Sequence, residues 1–126
     1  MLEMQNVTKT FGDFTALKNL SLTVPKGAVY GLVGPNGAGK STAIRHLTGI
    51  YRPDAGTVTI GGLPVYEHPE IKSRIGYIPD DLGVLGGGTI RALAAFYRTM
   101  YPRFDVARFY PMCEVFRLDE RTPPRR

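Results

Sequence analysis

The sequence predicts an α/β fold, and three observations carry the prediction. Residues 2–9 (LEMQNVTK) and 16–24 (ALKNLSLTV) mix apolar with polar positions in the manner of half-exposed strands. Residues 28–33 (AVYGLV) are continuously apolar, as befits a strand covered on both faces. Directly after them, residues 34–42 (GPNGAGKST) read as a glycine-rich turn that opens a helix.

The turn Phe11-Gly12-Asp13 joins the first two strands as a hairpin, and Pro25-Lys26-Gly27 breaks the alternating pattern before the apolar run. The helix expected over residues 40–48 ends at Gly49, a natural left-handed cap, with Pro53 shortly beyond. Residues 57–60 (TVTI) predict a short strand closed by Gly61-Gly62, and residues 74–78 (RIGYI) predict another. After the break Gly86-Gly87-Gly88, Thr89 is placed to cap a helix reaching Met100; residues 104–116 predict a second helix, and Pro102 separates the two. The tail from Thr122 (TPPRR) has no apolar residue to anchor it and is expected to fray.

A chain of 126 residues, 43% hydrophobic and 21% charged, has the size and composition of one globular domain. One cysteine, Cys113, excludes an intrachain disulfide, and the N-terminus MLEMQNVTKTFGDF lacks the apolar run of an export signal, so a cytoplasmic setting is expected. The longest apolar stretches fall well short of the roughly 20 residues that cross a bilayer. The 16 basic and 11 acidic residues leave +5, and neither half of the chain carries the excess alone. That spread argues for solvated surface and against nucleic acid as a partner.

The turn at residues 34–42 carries the chemistry. Consecutive backbone N–H groups in a glycine-rich turn form a concave anion site, to which the following helix adds its positive dipole end. Side chains in place of Gly34, Gly37 and Gly39 would obstruct phosphates, while Pro35, Asn36 and Ala38 complete the loop. In the pattern GxxxxGK[ST], Lys40 contacts the β- and γ-phosphates and the Ser41 hydroxyl coordinates Mg²⁺, with Thr42 placed for a further phosphate oxygen. The glycines fall as GxxGxG, which excludes the dinucleotide fingerprint GxGxxG. A small phosphate-loop kinase fits less well, because no stretch identifies a phosphate-acceptor site.

Hydrolysis also needs a second metal carboxylate and a group that orients water. Two segments end in paired acids: IGYIPDD, closing on Asp80-Asp81, and VFRLDE, closing on Asp119-Glu120. The second continues a helical pattern and is the weaker. In the first, Pro79 suits a strand leaving a sheet, which leaves Asp80 a candidate metal contact through water.

FGDFTALKNLSLTVPKGAVYGLVGPNGAGKSTAIRHLTGIYRPDAGTVTIGG followed by RIGYIPDD closely resembles the N-terminal half of an ABC transporter ATP-binding subunit. YIPDD followed by AAFYRTMYPRFD is most similar to the bacterial bacitracin-export and acetoin-utilisation type. The resemblance implies a partial phosphate-loop NTPase of the ABC type, with residues 1–26 the antiparallel β part, 27–81 the phosphate-loop core and 82–126 the start of a helical subdomain. It implies Phe11 as the aromatic stacked on adenine, residues 34–41 as the loop on the ATP phosphates, and Asp80 at the position usually held by the Q-loop glutamine. An acid there departs from the family and puts the metal and water contacts in doubt.

The resemblance also implies partners: transmembrane subunits, and a second ATP-binding subunit, identical or different, paired head to tail. It places the protein on the inner face of the plasma membrane through those subunits. The aromatics Phe96, Tyr97, Tyr101, Phe104, Phe109 and Tyr110 are expected mostly in helix core, with one or two at a partner surface. The family's signature segment, its metal-binding Asp with catalytic Glu and its switch histidine have no match in these residues, and His46 and His68 are expected to be surface or packing residues. The chain by itself is therefore expected to bind Mg·ATP weakly with negligible turnover. The alternative is a stand-alone nucleotide-binding module or remnant.

Overall fold

A computed structural model describes residues 1–79 and 88–122. The chain falls into two units, Met1–Tyr77 and Ile78–Arg126.

In the first unit, β1 (Leu2–Phe11) and β2 (Phe14–Val24) form the expected antiparallel hairpin. Its turn contains Gly12. β3 (Ala55–Ile60) pairs antiparallel with the other edge of β1, and the two-residue β4 (Leu63–Pro64) pairs with β3, giving the order β2-β1-β3-β4. Met4 and Val7 are both fully buried although they lie three apart. In an unbroken strand they would face opposite sides. A register shift between them, with Asn6 at φ 49°, turns Val7 back to the core face. Asn19 at φ 48° sits likewise between Leu17 and Leu20 on β2. Side chains stitch the irregular region together: the Asn6 N–H donates to Ser21 Oγ (2.9 Å) and the Asn19 N–H to Thr8 Oγ1 (3.1 Å).

α1 (Lys40–Leu47) supplies Ala43 to the core and α2 (Pro69–Lys72) supplies Ile71, joining Met4, Val7, Leu17, Val58 and Val65. Gly49 follows α1 at φ 70°, the left-handed conformation expected of it.

The α/β class stands, but two expected strands are absent among the described residues. Residues 28–33 and 74–78 pair with no strand, and Val29 and Val33 are 101% and 95% exposed. The four strands present are all antiparallel, and none of them offers the parallel edge that a doubly covered strand requires. Among the described residues nothing covers this apolar run.

In the second unit, Thr89 Oγ1 accepts from the Ala92 N–H (3.2 Å) and caps α3 (Ile90–Met100), as the sequence predicts. The second helix is shorter than expected: α4 spans Val106–Val115, because Asp105 Oδ1 accepts from the Ala107 and Arg108 N–H groups and starts it there. Ile90, Ala94 and Cys113 are buried. Tyr97 stacks on Tyr101 and Phe104, and Phe104 meets Phe109 at a tilt. Tyr97, Phe104, Phe109 and Tyr110 are half-buried, whereas Phe96 and Tyr101 are exposed. The tail expected to fray, residues 123–126, lies outside the described residues. Among the described residues no helix is long and apolar enough to cross a membrane.

Truncating the buried Met4 to alanine is expected to cost about 2–5 kcal/mol of stability. The same change at the solvated Val29 is expected to stay within about 0.5 kcal/mol. Denaturant melts of the two variants check this; comparable losses would mean that residues 28–33 are packed after all.

Candidate functional site

Four helix starts are described, and three of them are capped by a side chain. His68 Nδ1 accepts from the Ile71 N–H at α2, Thr89 caps α3 and Asp105 caps α4. α1 begins at Lys40 after Gly39, with no side-chain cap and no acid in its first turn. Its first N–H groups are thus left without a side-chain acceptor, at the positive end of the helix dipole.

The loop ahead of it is held by its own backbone and by β2. The Ala38 N–H donates to the Pro35 carbonyl (3.2 Å), and the Ala43 N–H to the Gly39 carbonyl (2.8 Å). Gly39 has φ 86°, and a Cβ there would stand 2.5 Å from the Ala16 carbonyl oxygen and 2.9 Å from Leu17 Cδ2. Only glycine fits so close to β2 in that conformation. The Lys40 Nζ donates to the Gly34 (2.6 Å) and Pro35 (2.7 Å) carbonyls, so the ammonium folds back across the loop. Ser41 is exposed and Thr42 half-buried. Residues 34–42 thus come together as one turn with uncapped amides and one cation, a donor set suited to phosphate oxygens.

Phe11 is the last residue of β1, 43% exposed. Its ring meets Tyr51 edge-on at 5.4 Å, and Lys9 Nζ lies 5.5 Å from its centroid. Asp54 clamps this end of the strand: its carboxylate accepts from Lys9 Nζ and from the Thr10 N–H, each at 2.8 Å, and its own N–H donates to the Thr8 carbonyl (3.0 Å). Sequence reasoning missed Tyr51 and Asp54, because only the pairing of β3 with β1 brings them to Phe11.

Asp80 and Asp81 lie outside the described residues. Asp119 and Glu120 take structural parts. Glu120 pairs with Arg91 on α3, and Asp119 Oδ1 accepts from the Arg121 N–H (2.9 Å). Among the described residues no group of three metal-ligating side chains gathers, which leaves the Ser41 hydroxyl, in the exposed first turn of α1, as the one predicted metal contact the structure describes. His46 proves to be a packing residue, 1% exposed. Its Nδ1–H donates to the Thr42 carbonyl (2.7 Å), and Nε2 is buried without a partner. His68 serves as the α2 cap.

Fold and loop together define a phosphate-loop nucleotide-binding domain. The model of the ABC transporter family matches residues 17–120. The chain belongs to that family, whose members bind and hydrolyse ATP. It is 36% identical over 106 residues, 84% of its length, to the ABC transporter ATP-binding protein YtrB of Bacillus subtilis, of which it covers 36%. A solved ATP-binding subunit of an ABC transporter superposes with a TM-score of 0.80 at 27% identity, over 95% of this chain and 52% of that one. A dimeric ATP-binding cassette in a post-hydrolysis state, bound to ADP and Pi, superposes at 0.64 with 26% identity, over 73% of this chain and 44% of that one. The chain spans about a third of the length of the curated relatives it matches.

The Asp54 carboxyl is held below its ordinary 3.8, first by the hydrogen bond from Lys9 and then by the Thr10 N–H. A carboxyl lowered in the folded state adds stability above its unfolded value and loses it as pH falls through the folded value. Asp54→Asn is therefore expected to be less stable than the parent near neutral pH, with the gap closing as pH falls below the ordinary carboxyl value and through the lowered folded one. Thermal melts across that range check it; a gap independent of pH would remove the carboxylate clamp.

Proposed function

We propose that this chain is the nucleotide-holding part of an ABC transporter ATP-binding subunit that powers transport through partner transmembrane subunits. The observation that carries the reading is the uncapped start of α1, fed by a glycine loop and covered by the Lys40 ammonium. On it, residues 34–42 hold the phosphates of ATP: the amides at the loop end and first helical turn donate to the phosphate oxygens, and Lys40 adds its ammonium. Ser41 would hold Mg²⁺, which when bound neutralises phosphate charge. Asp80 is the candidate for a further metal contact through water. Phe11 stacks on adenine, a role its exposed ring suits.

In this reading residues 1–26, 27–81 and 82–126 are the antiparallel part, the phosphate-loop core and the start of a helical subdomain. The subunit works as a dimer of ATP-binding subunits on the cytoplasmic face of the membrane, and its nearest functional type is bacitracin export and acetoin utilisation. Exposed residues 28–33 are consistent with a strand whose neighbours lie in sequence that the relatives have beyond this match. Residues 1–126 alone bind Mg·ATP weakly and turn it over negligibly, because charge stabilisation around the γ-phosphate is incomplete in this part of the site.

Calorimetric titration with Mg·ATP tests both halves of the proposal. Lys40→Ala is expected to weaken binding about 10- to 100-fold, the worth of charge-assisted hydrogen bonds. Phosphate release by the parent chain is expected at the level of buffer. Unchanged affinity in the variant would overturn the loop assignment, and brisk hydrolysis abolished by Lys40→Ala would overturn the lack of turnover.

A further inference from the structure

The aromatic at the end of β1 does not stand free. Tyr51 meets the Phe11 ring edge-on at 5.4 Å with an interplanar angle of 64°, an attractive aromatic geometry. Tyr51 is in turn gripped by two consecutive residues of α1. The Arg45 guanidinium lies 5.7 Å from its centroid and donates to its hydroxyl (3.3 Å). The buried His46 ring meets it edge-on at 5.7 Å. The backbone repeats the link, since the Ile50 and Tyr51 N–H groups both donate to the Arg45 carbonyl, at 2.8 and 3.1 Å. On the far side, Asp54 fixes Lys9 and Thr10, the two residues before Phe11.

From this chain of contacts we infer that Tyr51 and Asp54 are positioning residues for the base of the nucleotide, locking Phe11 to the same helix whose first turn holds the phosphates. The inference rests on the reading of Phe11 as the base-stacking residue. Physically, a half-exposed phenylalanine at a hairpin end samples several orientations, and stacking on a base costs it that freedom. The Tyr51 edge and the Asp54 clamp remove part of that cost before the base arrives. α1 carries both ends of the arrangement: Lys40 and Ser41 open it, and Arg45 and His46 sit one turn further on, so the base and phosphate subsites share one rigid element. Neither Tyr51 nor Asp54 needs to touch the nucleotide. Their effect is confined to ligands that carry a base.

That confinement supplies the test. Affinities of the intact chain for Mg·ATP and for tripolyphosphate, which has phosphates and no base, are measured for the parent, Phe11→Ala, Tyr51→Leu, Asp54→Asn and the double variant Phe11→Ala/Tyr51→Leu. Phe11→Ala is expected to weaken ATP binding about tenfold. Tyr51→Leu and Asp54→Asn are each expected to weaken it about three- to tenfold. Tripolyphosphate affinity is expected to hold throughout, which also shows that the variants fold. The double variant is expected to be no worse than Phe11→Ala alone, because Tyr51 acts only through Phe11. A loss in Phe11→Ala with none in Tyr51→Leu and Asp54→Asn overturns the inference and leaves base stacking intact. Equal losses for ATP and tripolyphosphate reduce both residues to general packing, and additive losses in the double variant overturn action through Phe11. No loss in Phe11→Ala removes the stacking reading itself.

Discussion

Everything at the candidate site depends on how closely the loop approaches the sheet. Gly39 lies where a Cβ would press into the Ala16 carbonyl, so the last residue of the loop sits against β2. α1 therefore starts in a fixed place. It starts without a cap, while the other described helices satisfy their first amides through His68, Thr89 and Asp105. A helix start left open is costly unless something else accepts its hydrogen bonds. Water does so on an exposed loop, and phosphate oxygens, being charged, do so better.

The same helix organises the rest of the first unit. Its buried face supplies Ala43 to the core of the antiparallel sheet. Its last turn holds Tyr51, and through it the end of β1. Asp54 then ties the start of β3 to Lys9 and Thr10. Local order therefore runs from the loop along α1 to the hairpin, and three elements far apart in sequence share one mechanical frame.

Much of this was legible in the sequence for reasons of local chemistry. GPNGAGKST announced both the loop and the helix, because glycine spacing and a following lysine and serine have few other uses. Gly49 and Thr89 marked a helix end and a helix start by backbone and capping preference, which act within a few residues. The hairpin was legible too, although Asn6 and Asn19 disguised its alternation by shifting the register. What was not legible depends on distant contacts. Residues 28–33 carry the composition of a covered strand, yet they form no strand and lie exposed, because composition does not say what would cover them. Tyr51 and Asp54 carry no local signal in the sequence; the pairing of β3 with β1 brings them beside Phe11. For His46 the sequence left surface and packing both open, and the 3.6-residue turn of α1 carries it inward beside Ala43.

The most direct measurement is amide-resolved NMR of the chain titrated with tripolyphosphate, which probes the open helix start without a base, a metal or a partner. The largest shifts are expected at the amides of Gly39, Lys40 and Ser41, with the capped amides of Ala92 and Ala107 unmoved. Shifts spread over the basic surface, with none concentrated at residues 39–41, would contradict an anion site at the start of α1.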